Sequence, residues 1–239
     1  MAQHTEEKLT SGSTWFPRLL RDETSAELHE WFTSSPSRPE TVSDVLEPDL
    51  ADRLAAELRE TTRWRHQYWV LNDQEWTDEV DAATFEATDP ARRFSSNQAL
   101  SDGSYFTSAD LSLTGQFVRA LGDGALAQAF AAVVDEPLNP TPIVEFARYE
   151  RGHFLAEHSD TFEDRRIGMV LYLSTPGWQP EFGGQLGYRN ERGEESLSEP
   201  HFNTAALFPF RTDCSHWVNP LATDEGVRYS VAVHFRASE

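Results

Sequence analysis

Residues 142–174 read PIVEFARYERGHFLAEHSDTFEDRRIGMVLYLS, and this stretch decides the fold. From Pro142 onward apolar and polar residues alternate, which is the period of a half-buried β-strand. The pattern continues to residue 236 with turn signals between its segments. Strands are predicted at residues 143–150, 153–158, 167–174, 184–189, 204–210, 215–219 and 227–236. Many short strands separated by regular turns indicate a β-sandwich or a β-barrel.

Helical patterns dominate the chain before residue 142. The segment that starts at Pro48 carries Leu50, Leu54 and Leu58 on one face, which predicts an amphipathic helix with proline in its first turn. Further helices are predicted over residues 22–32, 111–121 and 123–134. The sequence therefore predicts a mostly β fold with N-terminal helices, in which helical support over 22–134 packs on one face of a β core over 142–236.

Three other segments complete the predicted organisation. Residues 63–71 (RWRHQYWVL) alternate and predict a strand. Residues 72–110 are polar and predict mostly loop, and a loop of that length in a compact domain is often functional, for example as a lid. Residues 1–12 are predicted to be a flexible tail, which leaves 13–239 as a single domain.

Composition limits the partners and the compartment. The net charge of −20, from 40 acidic and 20 basic residues, disfavours binding to nucleic acid and to anionic membranes. The sequence has no run of 18 apolar residues, which would predict a membrane span, and the N-terminus has no apolar signal region. Cys214 is the only cysteine, so no intrachain disulfide can form. These features predict a soluble, cytoplasmic protein.

The residues most suited to chemistry are His158, Asp160 and His216. His158 and Asp160 are two apart, so on a strand both side chains leave the same face. His216 belongs to a different predicted strand and would approach from across the barrel. Two imidazoles and one carboxylate form the ligand set that holds Fe(II) in non-haem oxygenases and leaves positions open. Arg228 follows further along the chain and suits a dicarboxylate.

Taken in order, the motifs of residues 142–236 resemble those of the 2-oxoglutarate and Fe(II)-dependent oxygenases of the prolyl-hydroxylase type. The resemblance is carried by Tyr149, Gly152, Phe154, His158, Asp160, Tyr172-Leu173, Gly183-Gly184-x-Leu186, His216-x-Val218-x-Pro220 and Arg228-x-Ser230. It implies a double-stranded β-helix (jelly-roll) barrel braced by helices, and 13–239 as a single oxygenase domain.

The resemblance also implies a role for each matching residue. His158, Asp160 and His216 would bind Fe(II), and no catalytic residue beyond these ligands is implied. Arg228 would form a bidentate ion pair with the distal carboxylate of 2-oxoglutarate, a geometry that lysine does not offer. Hydroxyl groups near the cosubstrate would come from Tyr172, Tyr149 and Ser230. O2 is the third reactant, ascorbate is a supporting reductant, and the carboxylate of Asp160 favours hydroxylation over halogenation.

Three functions stay open at this point. The first is a dioxygenase (hydroxylase) that oxidises an unactivated C–H bond of an amino acid or another small molecule and converts 2-oxoglutarate to succinate. The second is a prolyl hydroxylase with a protein substrate, so the partner is a small-molecule or a peptidyl substrate. The third is a non-catalytic, cupin-like metal-binding module, which has no need for Arg228. The sequence gives neither the substrate nor the oligomeric state.

Several other residues have a structural interpretation and a functional one. Arg165 and Arg166 are interpreted as a solvated pair, with a substrate carboxylate as the alternative partner. His153, His201 and His234 are interpreted as structural or surface residues. The tryptophans Trp64, Trp69 and Trp76 are interpreted as core, with an aromatic substrate wall as the alternative.

Overall fold

The computed structural model describes residues 11–34, 36–72, 77–100, 112–160 and 164–238. Six α-helices lie in this part of the chain: α1 (Gly12–Trp15), α2 (Asp22–Thr33), α3 (Pro48–Glu60), α4 (Ala82–Ala87), α5 (Leu113–Leu121) and α6 (Ala125–Val134). The strands are β1 (Glu40–Ser43), β2 (Trp64–Leu71), β3 (Thr77–Val80), β4 (Arg93–Leu100), β5 (Ile143–Tyr149), β6 (Phe154–His158), β7 (Arg165–Tyr172), β8 (Leu186–Arg189), β9 (Glu195–Ser198), β10 (Thr204–Pro209), β11 (Ser215–Val218) and β12 (Arg228–Arg236).

The strands form one antiparallel sheet that folds back on itself. Its order is β1-β10-β7-β12-β5-β4-β6-β11-β8-β9, with β2 added to β4 and β3 added to β2. Strand β4 connects the two halves, because Gln98 and Ala99 pair with β5 whereas Ser95 and Ser96 pair with β6. The result is a nearly closed barrel with an interior cavity.

The helices cover the outer face of the half formed by β5, β12, β7 and β10. Phe117 of α5 packs edge-on against Phe146 of β5, and Phe130 of α6 packs in the same way against Phe235 of β12. Alternation along each strand sends the intervening side chains into the barrel. The predicted mostly β fold with bracing helices is therefore confirmed.

Most predicted elements are confirmed to within a few residues, and the exceptions have physical causes. The interpretation of 72–110 as mostly loop is wrong over residues 77–100, which hold β3, α4 and β4. Strand β4 was missed because its sequence, RFSSNQAL, is polar, and several of those polar residues face the interior cavity. Residues 73–76 and 101–110 of the predicted lid lie outside the described residues.

The N-terminal segment also differs from its prediction. Residues 1–10 of the predicted tail lie outside the described residues, but Gly12 begins α1, is buried, and donates its backbone N–H to the carboxylate of Asp123. Strand β1, in a Pro- and Ser-rich region, was not predicted, and neither was β9. Among the described helices none is by itself long and apolar enough to cross a membrane; only the bent pair α5–α6 meets that length and composition jointly.

Candidate functional site

Three potential metal ligands converge at the ends of two neighbouring strands. His158 ends β6 and lies directly opposite His216 of β11 in the antiparallel register, with the ring centroids 4.2 Å apart. Asp160 follows two residues later, and its carboxylate oxygens lie 3.7 Å from Nε2 of His158 and 3.8 Å from Nε2 of His216. A first-row metal ion bound at about 2.1 Å from each atom needs separations below about 4.2 Å. Both distances to Asp160 meet this requirement, and all three ligand atoms lie within 4.8 Å of one another, so this donor set could hold one ion.

The orientation of His158 and the environment of His216 also suit a metal. Nδ1 of His158 lies 2.9 Å from the carbonyl oxygen of Ala156. Because a carbonyl only accepts, Nδ1 is the donor in this contact, and Nε2 is the ring nitrogen that faces Asp160. Burial holds the pKa of His216 well below its usual value, and the positive charge of Arg165 acts in the same direction. His216 is therefore a neutral ligand.

Asp160 forms an ion pair with Arg165, a residue that was predicted from the sequence to be solvated. Nη1 of Arg165 donates to Oδ2 of Asp160 at 2.8 Å, and both side chains are buried. The prediction of a solvated Arg165-Arg166 pair is therefore wrong for Arg165, because the first residue of β7 turns into the barrel. Arg166 points the other way and pairs with Glu136, with both groups partly exposed. The Arg165 contact fixes the orientation of the proposed carboxylate ligand.

Arg228 is a buried cation with no acidic partner in the part of the chain that the structure describes. It is 2% exposed, and no carboxylate of the described residues forms a salt bridge with it. Its Nη1 donates to Oγ of Ser230 at 2.8 Å, and its Nε has no hydrogen-bond partner among the described residues. The guanidinium lies 4.7 Å from the ring centroid of Tyr149 and 5.1 Å from that of Tyr172. A buried charge without a partner is costly, so this position is suited to an anionic ligand.

The two tyrosines differ in how they meet the cavity. Tyr149 lies opposite Arg228 in the register and lines the cavity, as does Ser230. Tyr172 lies against the guanidinium of Arg228 and is not part of the cavity wall. Burial raises the pKa of each phenol, and the charge of Arg228 only partly offsets it. Both are neutral hydroxyls, and Arg228 is the polar group nearest to that of Tyr172.

The glycine pair of the sequence motif has a packing role beside Arg228. Gly183 has φ +76° and Gly184 has φ +70°, a conformation that disfavours residues with a Cβ. A Cβ at Gly183 would meet the carbonyl oxygen of Pro220 at 2.2 Å, and one at Gly184 would meet Cδ of Arg228 at 3.3 Å. The Gly183-Gly184 turn therefore packs against the chain segment that follows His216 and against the aliphatic part of the Arg228 side chain.

A cavity of about 560 Å³ connects the three ligands with Arg228. One wall comes from β2 and β4. Trp69 in this wall was predicted only as an alternative to core packing, and the other four residues were not predicted: Gln67, Phe94, Ser95 and Asn97. Phe94 packs edge-on against His158, with ring centroids 5.3 Å apart. Of the three tryptophans, Trp69 lines the cavity and Trp64 packs on Tyr229, whereas Trp76 lies outside the described residues.

His234 lines the same cavity, although sequence analysis treated it as structural. The register of β12 against β7 is continuous from Ser230 to His234, so both face the barrel interior. His153 is buried elsewhere, where its Nδ1 accepts the backbone N–H of Glu150, and His201 is exposed. The sequence signal that predicts this position of His234 is its even spacing from Arg228, because residues an even number apart lie on the same face of a regular strand.

Part of the chain matches a protein-family model and a curated relative. Residues 144–236 match the family model of the 2OG-Fe(II) oxygenase superfamily. A mouse (Mus musculus) protein, prolyl 3-hydroxylase OGFOD1, is 32% identical over 65 residues, which are 26% of this chain and 12% of that protein. The chain thus matches only about an eighth of that relative's length.

Three solved structures share the architecture. A Pseudomonas putida prolyl-4-hydroxylase has a TM-score of 0.62 and 23% identity over 90% of this chain and 100% of its own. A Trichoplax adhaerens prolyl hydroxylase, solved with a hypoxia inducible factor peptide, has a TM-score of 0.64 and 12% identity over 90% of each chain. The epimerase SnoN of nogalamycin biosynthesis has a TM-score of 0.57 and 14% identity over 89% of this chain and 83% of its own. These similarities confirm the double-stranded β-helix fold.

Proposed function

Residues 144–236 belong to the 2OG-Fe(II) oxygenase superfamily, and from this membership we propose that the chain is an Fe(II)- and 2-oxoglutarate-dependent dioxygenase. It hydroxylates an unactivated C–H bond of an amino acid or another small molecule and forms succinate from 2-oxoglutarate. Its cofactors are Fe(II), 2-oxoglutarate and O2. His158, Asp160 and His216 are the proposed metal ligands, and Arg228 is the proposed cosubstrate anchor.

The observation that carries the proposal is the unpaired charge of Arg228 in the cavity that also holds the metal-ligand set. A metal-binding module without turnover needs only His158, Asp160 and His216. A buried guanidinium beside them adds a fork of donors that matches a carboxylate. A dicarboxylate that reaches from the metal to Arg228 supplies the missing counter-charge, and this explains both features with one ligand.

The side chains then have separate tasks. Arg228 orients the cosubstrate through its distal carboxylate, and Ser230 holds the guanidinium through the 2.8 Å hydrogen bond. Arg165 holds Asp160 in the orientation that a facial ligand set requires. The apolar walls around Phe94 and Phe208 limit the access of water. The bound metal, cosubstrate and O2 supply the chemistry of oxidative decarboxylation coupled to C–H oxidation.

A second candidate is a prolyl hydroxylase that acts on a protein. It is supported by the names of several relatives, including one solved with a peptide. The two candidates differ in substrate and not in the site. A panel of free amino acids and of proline-containing peptides, analysed by mass spectrometry for the gain of one oxygen atom, separates them.

The test of the activity is succinate formation from 2-oxoglutarate with Fe(II), O2 and ascorbate. We expect succinate above the level of a no-enzyme control, and we expect His158→Ala to lose both metal binding and turnover. His201→Ala is the matched control, because that histidine is exposed and outside the cavity. If no panel member yields succinate and calorimetry detects no 2-oxoglutarate binding, the proposal is wrong and the metal-binding module is favoured.

The cellular setting remains a prediction. A cytoplasmic location, a single domain over 13–239 and the absence of nucleic-acid and membrane partners rest on charge and composition. The buried free thiol of Cys214, which accepts a hydrogen bond from the hydroxyl of Tyr188 at 3.1 Å, is compatible with a reducing compartment. Fractionation of cells that express the protein tests the location.

A further inference from the structure

The imidazole of His234 is a polar group with no structural task among the described residues. It is 5% exposed, and its Nδ1 is buried without a hydrogen-bond partner in the described parts of the chain. Leaving such a group unbonded is costly, because it has lost its hydrogen bonds to water. Buried polar groups without partners are rare enough that each needs an explanation. The other ring nitrogen, Nε2, is not enclosed in this way and also has no hydrogen-bond partner among the described residues. Because His234 lines the cavity, a ligand in that cavity is the natural partner of Nε2.

The position of His234 separates it from the proposed cosubstrate anchor. Arg228 and His234 lie on the same inner face of β12 and are six residues apart, which is about 20 Å along a strand. Both line the cavity, which therefore extends over this length of β12, and the part beside His234 is called the His234 end. A cosubstrate bound between the metal ligands and Arg228 leaves the His234 end to the other reactant.

Two phenylalanine rings connect His234 to the metal ligands. Phe210 packs edge-on against His234, with ring centroids 5.2 Å apart, and lies 6.3 Å from His216. Phe208 lies 4.9 Å from His216. Gly168, opposite His234 in the register, makes room for both, because a Cβ there would meet their rings at 2.7–3.0 Å. A group bonded to His234 therefore rests on an apolar floor next to the metal ligands.

The charges at this end of the cavity favour a neutral group. Burial, and then the positive charge of Arg165, lower the pKa of His234 to about 3, so the ring is uncharged at neutral pH and offers one donor and one acceptor. The charge of Arg165 is balanced by Asp160 at 2.8 Å. Glu145 also lines the cavity but is exposed, where water and salt screen its carboxylate.

We propose that the His234 end of the cavity is the substrate subsite, and that it takes a substrate whose neutral amide group bonds to the imidazole beside the carbon to be oxidised. This inference rests on the proposed function, because it assigns the second reactant of that reaction. A peptide bond and the primary amide of a small molecule are both amides, and either source satisfies the chemistry. The imidazole then determines specificity by hydrogen bonding.

The direct test uses small probes, so it does not depend on finding the substrate. The protein, loaded with Zn(II) in place of iron and with 2-oxoglutarate, is labelled with ¹⁵N in the histidine rings and titrated with N-methylacetamide, acetate or methylammonium. We expect N-methylacetamide to shift the ring signals of His234 at lower concentration than either ion does. His201, which is exposed, is the control within the same spectrum and is expected not to move.

Variants give the second readout. His234→Phe keeps a ring of similar size without nitrogens, and His234→Asn keeps a donor and an acceptor. Loss of one neutral hydrogen bond predicts about 2- to 10-fold weaker binding of N-methylacetamide in His234→Phe, with partial rescue in His234→Asn. The wild-type titration decides the question even if a variant does not fold.

The outcomes are distinguishable from a failure of the proposed function. Binding of 2-oxoglutarate without any response of His234 to the amide overturns the subsite and leaves the dioxygenase proposal standing. A larger response to acetate or to methylammonium overturns the assignment of a neutral substrate group. Absence of 2-oxoglutarate binding in the wild-type protein refutes the proposed function itself, and the subsite falls with it.

Discussion

Replacing Arg228 by methionine should have opposite effects on the free and on the cosubstrate-bound protein. The guanidinium is buried beside Tyr149 and Tyr172, bonds to Ser230, and has no acidic partner among the described residues. Methionine fills a similar volume without the charge. Because replacing a buried charge by an apolar residue of similar size is often neutral or stabilising, we expect Arg228→Met to be at least as stable as the wild-type protein when no 2-oxoglutarate is present.

Binding of the cosubstrate should show the reverse order. Removing one partner of a buried charge pair costs about 2–5 kcal/mol, which is a loss of roughly 30- to 4,000-fold in affinity for 2-oxoglutarate. At a concentration 100 times the wild-type Kd, the ligand stabilises the wild-type protein by about 2.7 kcal/mol. For a chain of this size that is a rise in Tm of about 5–11 °C, and Arg228→Met should lose most of it.

The measurement is thermal unfolding of the Zn(II)-loaded protein with and without 2-oxoglutarate, supported by calorimetric titration. Arg166→Met is the matched control, because Arg166 is a partly exposed arginine paired with Glu136 on the outside of the barrel. It should keep the full rise in Tm. A normal rise in Arg228→Met, or a large loss of stability in its ligand-free form, would refute the reasoning about an unpaired buried charge.

Three further predictions concern other parts of the chain. Arg165→Met should weaken Co(II) binding, measured by visible absorption, by about 10- to 100-fold, because it removes the hydrogen bond that orients the carboxylate ligand; equal affinity would contradict that role. Gly187→Ala should lower the free energy of unfolding in urea by about 1–3 kcal/mol, because its Cβ would meet the ring of Trp217 at 1.9 Å. Burial lowers the pKa of His153 to about 4, so the protein should lose stability as the pH falls from about 6.5 towards 4. In His153→Phe the urea midpoint should depend less on pH over that range, and an unchanged pH dependence would count against the assignment.

The sequence predicted the strand-rich half well because alternation there reflects burial on one face of each strand. It predicted that His158 and His216 converge, but it placed His216 across the barrel, whereas β11 is the direct neighbour of β6 and the two histidines are opposite each other in the register. It failed at β4, where Ser95 and Asn97 line a polar cavity and alternation of hydrophobicity gives no signal. It also failed at Arg165, whose ion pair with Asp160 depends on which way β7 enters the barrel.

His234 illustrates a different limit. Its position on the inner face follows from regular spacing after Arg228, but its lack of a hydrogen-bond partner depends on what surrounds it from other strands. Only the packed barrel reveals that a polar ring has been left unsatisfied. The position of Tyr172 could not be predicted for a similar reason. Its ring packs against Arg228 and does not line the cavity, and this depends on how deeply the side chain is packed rather than on which face of the strand it occupies.

The pairing of β1 with β10 has a consequence for where the chain can be cut. Residues 40–43 cover the outermost strand of the helix-braced half, where Ala205, Ala206 and Leu207 are completely buried. Asn203 extends this closure with two 2.9 Å hydrogen bonds to the backbone of Leu46. A fragment that starts at residue 144 would keep every proposed ligand but expose an apolar strand edge, which is a template for edge-to-edge aggregation. The short N-terminal strand therefore protects the barrel from self-association, although the proposed metal ligands and Arg228 all lie more than 100 positions further along the chain.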